Sequence, residues 1–156
     1  MKRCAGAPAD LGQPLERLWP YDEWRDQGAA AYQPPAGVCA EALARRLTGG
    51  AAIAHTVAAL RAALDAGHAP LLGVRLYEAW YFPEPGGLIA MPAPSATALG
   101  RHAVLVVGYR DGEGEGGGRF VVRNSWGSDW ADDGYGYLPY EYVGLHGLVA
   151  WDLAPR

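Results

Sequence analysis

Hydrophobic positions in this chain change their spacing near Pro70. Before that residue, the segment "HTVAALRAALDAGHAP" repeats apolar residues at helical spacing and predicts an amphipathic helix. Thr56 is a suitable N-cap for it, and Gly67 suits the position that follows the last turn. The apolar face of this predicted helix comprises Val57, Leu60 and Leu64.

Upstream of this helix the pattern is less regular. The segment "VCAEALARRLTGG" predicts a short helix that ends at Gly49–Gly50. Residues 1–38 are rich in proline and turn-forming residues, which is typical of an extended segment that lies on a folded body.

After Pro70 the apolar residues form short runs, which are typical of strands. The glycine-rich segment 110–118 predicts a hairpin connection between two of them. The five predicted strands are "LLGVRLYEAWYF", "HAVLVVGY", "RFVVRNSW", "GYGYLPYEYV" and "GLVAWDL". The order predicts an α+β fold, in which short helices precede a twisted antiparallel sheet or small barrel of about five strands.

We expect one domain over residues 1–156. Its predicted parts are the proline-rich extended segment 1–38, short helices over 39–67 and the β-rich part 70–156. A chain of 156 residues is long enough to bury a core.

Charge and hydropathy exclude several classes of function. The net charge of −4 and the pI near 5.5 argue against nucleic acid as a partner, because no basic face is predicted. No apolar run approaches the roughly 20 residues that span a bilayer. The N-terminal segment lacks the apolar core of a secretory signal, so we expect a cytoplasmic location.

The cysteine pattern suggests neither a disulfide scaffold nor a metal site. Cys4 and Cys39 are isolated from each other and from the four histidines, whereas a structural zinc site needs four ligands in close pairs. No metal or cofactor is predicted. The formal G-x-G-x-x-G at 112–117 favours a solvated loop, since no helix is predicted after it and its glutamates would repel a pyrophosphate.

One histidine and one asparagine stand where a catalytic pair could form. His102 opens a strongly apolar strand, and Asn124 closes the next one, so the predicted hairpin would bring the two side by side. An amide oxygen that accepts from the ring N–H would fix the imidazole without adding a charge. Trp126 would cover that hydrogen bond from water. The alternative is a partly buried histidine bonded to any polar neighbour.

The string "HAVLVVGY" followed by "VVRNSWGSDWADDGYGYLP" resembles the C-terminal, β-rich half of the papain-like (C1) cysteine peptidases. Trp130 matches a second tryptophan of that pattern, whereas Ala131 stands where the family often has glycine. The resemblance implies that His102 is the general base, that Asn124 orients it and that Trp126 shields the pair. It also implies a peptide or protein substrate and a fold in the same class.

The resemblance extends to a bacterial branch of the family. The segments "LWPYD", Pro34–Pro35, "GHAPLLGVRLYEAWY" and "GGLIAMP" look like the residues that precede the histidine in that branch. The resemblance therefore covers about Leu18 to Leu153. In that branch these segments follow the helical domain with the nucleophile, so we expect this chain to begin after the catalytic cysteine.

Cys39 is nevertheless a candidate nucleophile. In the family, a glutamine six residues before the cysteine helps to form the oxyanion hole, a glycine lies two residues before it, and a helix follows. Gln33, Gly37 and the predicted short helix stand at those positions. Ala40 replaces the usual aromatic residue, and the distance to His102 is short for the family. The alternative is a small half-buried residue on a short helix. Cys4 has no glutamine upstream and Pro8 close behind it, so it does not fit.

Two functions follow from these observations. The first is peptide-bond hydrolysis at a Cys-His-Asn site, with the thiolate supplied by Cys39 or by a segment or partner outside this chain. The second is an inactive papain-like binding module or partner subunit, because an oriented imidazole without a nucleophile hydrolyses little. A missing helical domain would leave an apolar face, so we also expect self-association or a partner.

Overall fold

The computed structural model describes residues 12–20, 37–112 and 117–155. The chain divides into two compact units, Met1–Gly50 with Leu153–Arg156, and Ala51–Asp152. The single domain over residues 1–156 stays a prediction.

The described residues form three α-helices, one 3-10 helix and a six-stranded sheet, which confirms the α+β class. The helices are α1 (Val38–Leu43), α2 (Val57–Asp65) and α3 (Tyr140–His146), and the 3-10 helix is Glu78–Trp80. The strands are β1 (Leu47–Ile53), β2 (Leu71–Leu76), β3 (Gly100–Asp111), β4 (Gly118–Arg123), β5 (Tyr135–Pro139) and β6 (Gly147–Pro155). In the described part of the chain, no helix is long and apolar enough to cross a membrane.

The sheet has the order β1-β6-β2-β3-β4-β5. The pairs β6–β2, β2–β3, β3–β4 and β4–β5 are antiparallel. It contains one strand more than predicted. The additional strand is β1, in a glycine-containing segment where the sequence predicted the end of a helix. The helix α1 ends earlier, at Leu43, because residues 47–53 pair with β6 instead, and tertiary pairing outweighs the weak local preference.

Two of the predicted strands are interrupted by helices. The run 71–82 leaves the sheet after Leu76 and forms the 3-10 helix, which buries Trp80 completely. The run 134–143 leaves it at Pro139, and α3 follows with Tyr142 and Val143 fully buried. In both places the burial of large side chains decides the local structure, although their intrinsic preference is for strands.

The amphipathic helix α2 is confirmed with both of its termini. The Thr56 hydroxyl accepts a hydrogen bond from the N–H of Ala59 at 3.3 Å. Gly67 has a φ of 80°, in the left-handed region, and its N–H donates to the carbonyl of Leu64 at 2.9 Å. Leu60 is completely buried, while Val57 and Leu64 pack at the margin of the core.

One face of the sheet forms most of the core. Its fully buried side chains alternate along neighbouring strands, as expected for a sheet with one covered face. They include Leu72, Val74, Val106, Phe120, Val122 and Leu138. His102 lies directly opposite Val74 in the β2–β3 register, so the two side chains share this face at the end of the sheet.

A β-bulge interrupts the β3–β4 ladder. Val106 pairs with Val122, but the next partner of β4, Val121, pairs with Gly108. Val107 therefore has no partner across the ladder, and 37% of it is exposed. The extra residue shifts the alternation of β3 by one position.

Candidate active site

The structure brings His102 and Asn124 together at one end of the β3–β4 hairpin. His102 is the third residue of β3 and is half-buried, while Asn124 directly follows β4 and is only 8% exposed. The distance between His102 Nε2 and Asn124 Oδ1 is 2.7 Å, a normal hydrogen bond. The main-chain N–H of Asn124 donates to the carbonyl of Gly134 at 3.0 Å, which holds this residue after the strand has ended.

The second contact of Asn124 determines the proton position on the ring. Its Oδ1 also accepts from the main-chain N–H of Ser125 at 2.8 Å, and a main-chain N–H can only donate. The atom facing His102 is therefore an acceptor, so Nε2 carries the proton and Nδ1 keeps its lone pair. The arrangement leaves Nδ1 to act as a base. The Nδ2 of Asn124 is buried and has no hydrogen-bond partner among the described residues.

Trp126 lies against the imidazole. The ring centroids of His102 and Trp126 are 4.9 Å apart with an angle of 34° between the planes. Tyr81 stacks on Trp126 at 5.2 Å and 19°. This aromatic layer limits the access of water to one side of the histidine, and a hydrogen bond is stronger where water is excluded.

Trp80 is a site residue that the sequence did not identify. It is completely buried and meets His102 at 6.0 Å in an edge-to-face arrangement with a plane angle of 77°. Trp130 stacks on Trp80 at 6.1 Å and donates its Nε1–H to the carbonyl of Trp80 at 2.6 Å. Its ring reaches this position because Gly136 has no side chain: a Cβ there would lie 2.6 Å from the Trp130 ring. The only signal in the sequence was the aromatic content of "YEAWYF".

A hydrogen-bonded chain holds Trp80 from the other side. Its Nε1–H donates to the hydroxyl of Tyr142 at 2.8 Å, and that hydroxyl donates to the main-chain carbonyl of Arg75 at 2.8 Å. Burial raises the pKa of Tyr142 to about 12, so its hydroxyl keeps the proton that it donates.

Ala131 has a backbone conformation that is unfavourable for its side chain. Its φ is 54°, in the left-handed region, where most residues other than glycine are strained. The turn around it is closed by the N–H of Gly134, which donates to the carbonyl of Trp130 at 2.8 Å. The departure from the family pattern at this position therefore has a structural cost.

The predicted nucleophile segment is only partly within the described residues. Cys39 is exposed and is the second residue of α1, a helix of 6 residues. Gly37 precedes that helix with a φ of 86° and gives it no side-chain cap. Gln33, Cys4 and Pro34–Pro35 lie outside the described residues. Cys39 belongs to the first compact unit and His102 to the second.

No metal site is associated with these residues. Within residues 12–20, 37–112 and 117–155, no group of three or more histidine, cysteine or carboxylate side chains is arranged to hold a metal ion.

Comparisons with known proteins show which family of proteins this chain is similar to. The model of the papain family cysteine proteases matches residues 44–146. Xylellain, a cysteine protease from Xylella fastidiosa, has a similar structure, with a TM-score of 0.76 and 29% identity over 97% of this chain. Procathepsin L 3 of Tenebrio molitor shares the fold, with a TM-score of 0.67 and 21% identity over 99% of this chain.

A relative in sequence is an uncharacterised peptidase C1-like protein of Acanthamoeba polyphaga mimivirus. It is 38% identical over 64 residues, which are 41% of this chain and 19% of that protein. The matched part also spans only 60% of xylellain and 48% of procathepsin L 3. Because the family model covers more than half of the sequence, this chain belongs to the papain family of cysteine proteases.

Proposed function

We propose that this chain provides the general base and its orienting residue to a cysteine peptidase that hydrolyses peptide bonds. The observation that carries the proposal is the 2.7 Å hydrogen bond between His102 Nε2 and Asn124 Oδ1, which leaves Nδ1 as the basic atom. Trp126 shields the pair. A hydrogen-bonded and shielded imidazole of this kind is what activation of a thiol requires.

The chemistry follows from the protonation states. His102 Nδ1 takes the thiol proton, and the resulting thiolate attacks the carbonyl carbon of the scissile amide. The imidazolium then returns the proton to the leaving amine, which leaves a thioester on the sulfur. His102 next deprotonates a water molecule, and the attack of that water releases the acid and regenerates the thiol.

The thiol comes either from Cys39 or from a segment or partner outside this chain. Cys39 with Gln33 as the oxyanion residue is supported by their six-residue spacing and by the start of α1 at Val38. The short length of α1 favours the other source, because a helix of 6 residues adds little dipole to stabilise a thiolate.

The finer features of the family resemblance stay proposals. The similarity to xylellain supports a relationship to bacterial members of the family. A peptide or protein substrate is inferred from family membership, and a cytoplasmic location from the sequence alone. Self-association or a partner is supported by exposed apolar side chains such as Phe82 and Leu145, which are 75% and 60% exposed.

A thiol-directed electrophile tests the proposal. If Cys39 is the nucleophile, we expect an epoxide probe to label it at neutral pH, Cys39→Ala to abolish the labelling and Cys4→Ala to retain it. His102→Ala should slow the labelling at least tenfold, because no base then removes the thiol proton. His68→Ala is the matched control, since this histidine is held by Asp152 at 3.0 Å instead of by the Asn124 amide.

Each outcome decides between the alternatives. Labelling that depends on His102, together with hydrolysis of a fluorogenic peptide, supports a self-contained enzyme. No labelling, but hydrolysis once a segment with a cysteine nucleophile is added, supports a nucleophile from outside. Labelling at the same rate in wild type and His102→Ala, with no hydrolysis in either mixture, would overturn the proposal in favour of an inactive binding module.

A further inference from the structure

Two arginines face each other across the sheet beside His102. Arg75 on β2 and Arg101 on β3 are direct partners in the antiparallel register, so their side chains leave the sheet on the same face. Both residues are exposed. Among the described residues, no carboxylate lies within ion-pair distance of either guanidinium.

This placement is electrostatically unfavourable without a ligand. Like charges directly opposite each other destabilise a strand pair. The chain carries 17 acidic and 13 basic residues, so carboxylates are abundant, yet none in the described part of the chain compensates this pair. A bound anion would relieve the repulsion, and the planar guanidinium fork matches a carboxylate with two parallel hydrogen bonds.

The main chain of the two arginines is fixed in position relative to the imidazole. Arg101 directly precedes His102 in the chain. The carbonyl of Arg75 accepts from Tyr142, which in turn holds Trp80 against His102. The same hydrogen bonds that position the imidazole therefore also position the main chain of Arg75.

The positive charge of Arg75 also affects the imidazole of His146. Burial lowers the pKa of His146, and the positive charge of Arg75 lowers it further. His146 also contacts Tyr77, the residue two positions beyond Arg75, through Nδ1 at 3.3 Å. His146 therefore lies close enough to Arg75 for its pKa to be affected by the guanidinium charge.

Strand geometry determines which part of a substrate would meet the arginines. Neighbouring side chains of β3 leave on opposite faces, so the side chains of Arg101 and His102 lie on the two sides of the sheet end. An extended peptide across this end also has alternating side chains. A peptide that passes around this end with its scissile carbonyl beside His102 could place a neighbouring side chain against the arginine pair, since each extended residue spans roughly 3.4 Å.

We propose that Arg75 and Arg101 form a carboxylate-binding subsite next to His102, so that the preferred peptide carries an aspartate or glutamate close to the scissile bond. The inference rests on the proposed function for the identity of the ligand as a peptide. The subsite itself is a property of the two strands and does not require a nucleophile in this chain.

Binding, measured separately from hydrolysis, tests the subsite. The probes are blocked alanine-based hexapeptides in which each position in turn is Glu or Gln, with binding followed by ¹H–¹⁵N spectra of the His102 ring. We expect the best Glu peptide to bind at least tenfold more tightly than its Gln counterpart at low salt. The ratio of the affinities for the Glu and Gln peptides should fall towards one in Arg75→Gln and in Arg101→Gln. In Arg75→Lys the ratio should lie between one and the wild-type value. The difference should also shrink at high salt.

Arg61→Gln is the matched control, because it removes the same charge from α2, where Arg61 pairs with Asp111 at 2.9 Å. We expect it to retain the full ratio. Equal affinity for Glu and Gln peptides, no binding of either, or a preference that survives the Arg75→Gln/Arg101→Gln double variant would overturn the subsite. A charge preference without hydrolysis, even after a segment with a cysteine nucleophile is added, supports the subsite and contradicts the proposed function, whereas hydrolysis without a charge preference does the reverse.

Discussion

The histidine region and the cysteine region of this chain are built very differently. His102 is held by a strand, by a hydrogen bond to a buried asparagine and by two tryptophans. Cys39 lies exposed on a 6-residue helix whose N-terminus has no side-chain cap. The structure therefore fixes His102 from several directions, while nothing described in α1 fixes Cys39 to a comparable degree.

Of these two residues, only His102 is held in a fixed geometry by the described part of the chain. A group that is held by a sheet register and by buried aromatic side chains keeps its geometry without a ligand. A residue on a short surface helix depends on other contacts for its position. The position of His102, the proposed general base, is therefore set in advance, whichever thiol it would serve.

The largest expected effect comes from truncation of Trp80. Because this side chain is completely buried and contacts His102, Trp130 and Tyr142, Trp80→Ala should lower the free energy of unfolding by about 3–5 kcal/mol. Cys39→Ala should change it by less than about 0.5 kcal/mol, since Cys39 is exposed. Urea unfolding measures both values. Similar losses in the two variants would mean that the two regions are equally well packed.

Removal of the orienting amide should have the next largest effect. Asn124→Ala leaves the ring N–H of His102 and the N–H of Ser125 without their acceptor, which should cost about 1–3 kcal/mol. The Nε2–H signal of His102 should also disappear through exchange with water. Ser125→Ala keeps the main-chain N–H and removes only an exposed side chain, so it should stay within about 0.5 kcal/mol of wild type. A protected Nε2–H signal in Asn124→Ala would contradict this role.

Relief of the backbone strain at Ala131 should give a smaller change, of opposite sign. Ala131→Gly removes the steric penalty of a φ of 54° and should raise the free energy of unfolding by about 1 kcal/mol. Asp133→Gly is the control, because Asp133 has a φ of 52° but aspartate tolerates this region better. The gain in free energy of unfolding should be clearly smaller for Asp133→Gly than for Ala131→Gly. Thermal unfolding compares the two, and a larger gain at Asp133 would show that strain at Ala131 is relieved elsewhere.

Deprotonation of Tyr142 should leave the free energy of unfolding unchanged at neutral pH and lower it only in alkaline solution. Burial raises its folded pKa from 10.0 to about 12, so the unfolded chain releases this proton first. The contribution to stability is therefore complete below pH 10 and is lost as pH rises towards 12. Tyr142→Phe should therefore lose less stability than wild type as the pH rises above 10. Equal losses in wild type and variant would mean that the hydroxyl is solvated in the folded protein. Denaturant midpoints between pH 8 and 11.5 measure this difference.

Sequence alone predicted the features that are encoded locally. The helix α2 carries its own signals, since Thr56 caps its start and Gly67 adopts the left-handed conformation at its end. The hairpin that brings His102 and Asn124 together was predictable because two apolar runs flank a glycine-rich connection. The family was predictable from the string around these two residues.

Features that depend on distant contacts could not be predicted in this way. The segment of Trp80 has the composition of a strand, and only its burial beneath His102, Trp130 and Tyr142 explains the 3-10 helix. The helix α3 forms from tyrosine-rich sequence for the same reason. The strand β1 depends on its pairing with β6, which no local pattern indicates. The arginine pair becomes visible only when the register of β2 and β3 is known.

The bulge at Val107 determines which face of the hairpin Asn124 joins. If the pairing of Gly108 with Val121 continued without it, Asn124 would come opposite Leu105 and leave the sheet away from His102. Because Val107 stays outside the ladder, Asn124 is in line with Val104, two positions from His102 and on the same face. As long as Val107 is present, the His102–Asn124 pair thus depends on the bulge. Deletion of Val107 would leave Val106 opposite Val122 and Gly108 opposite Val121, so the ladder would become regular and the two side chains would keep their common face.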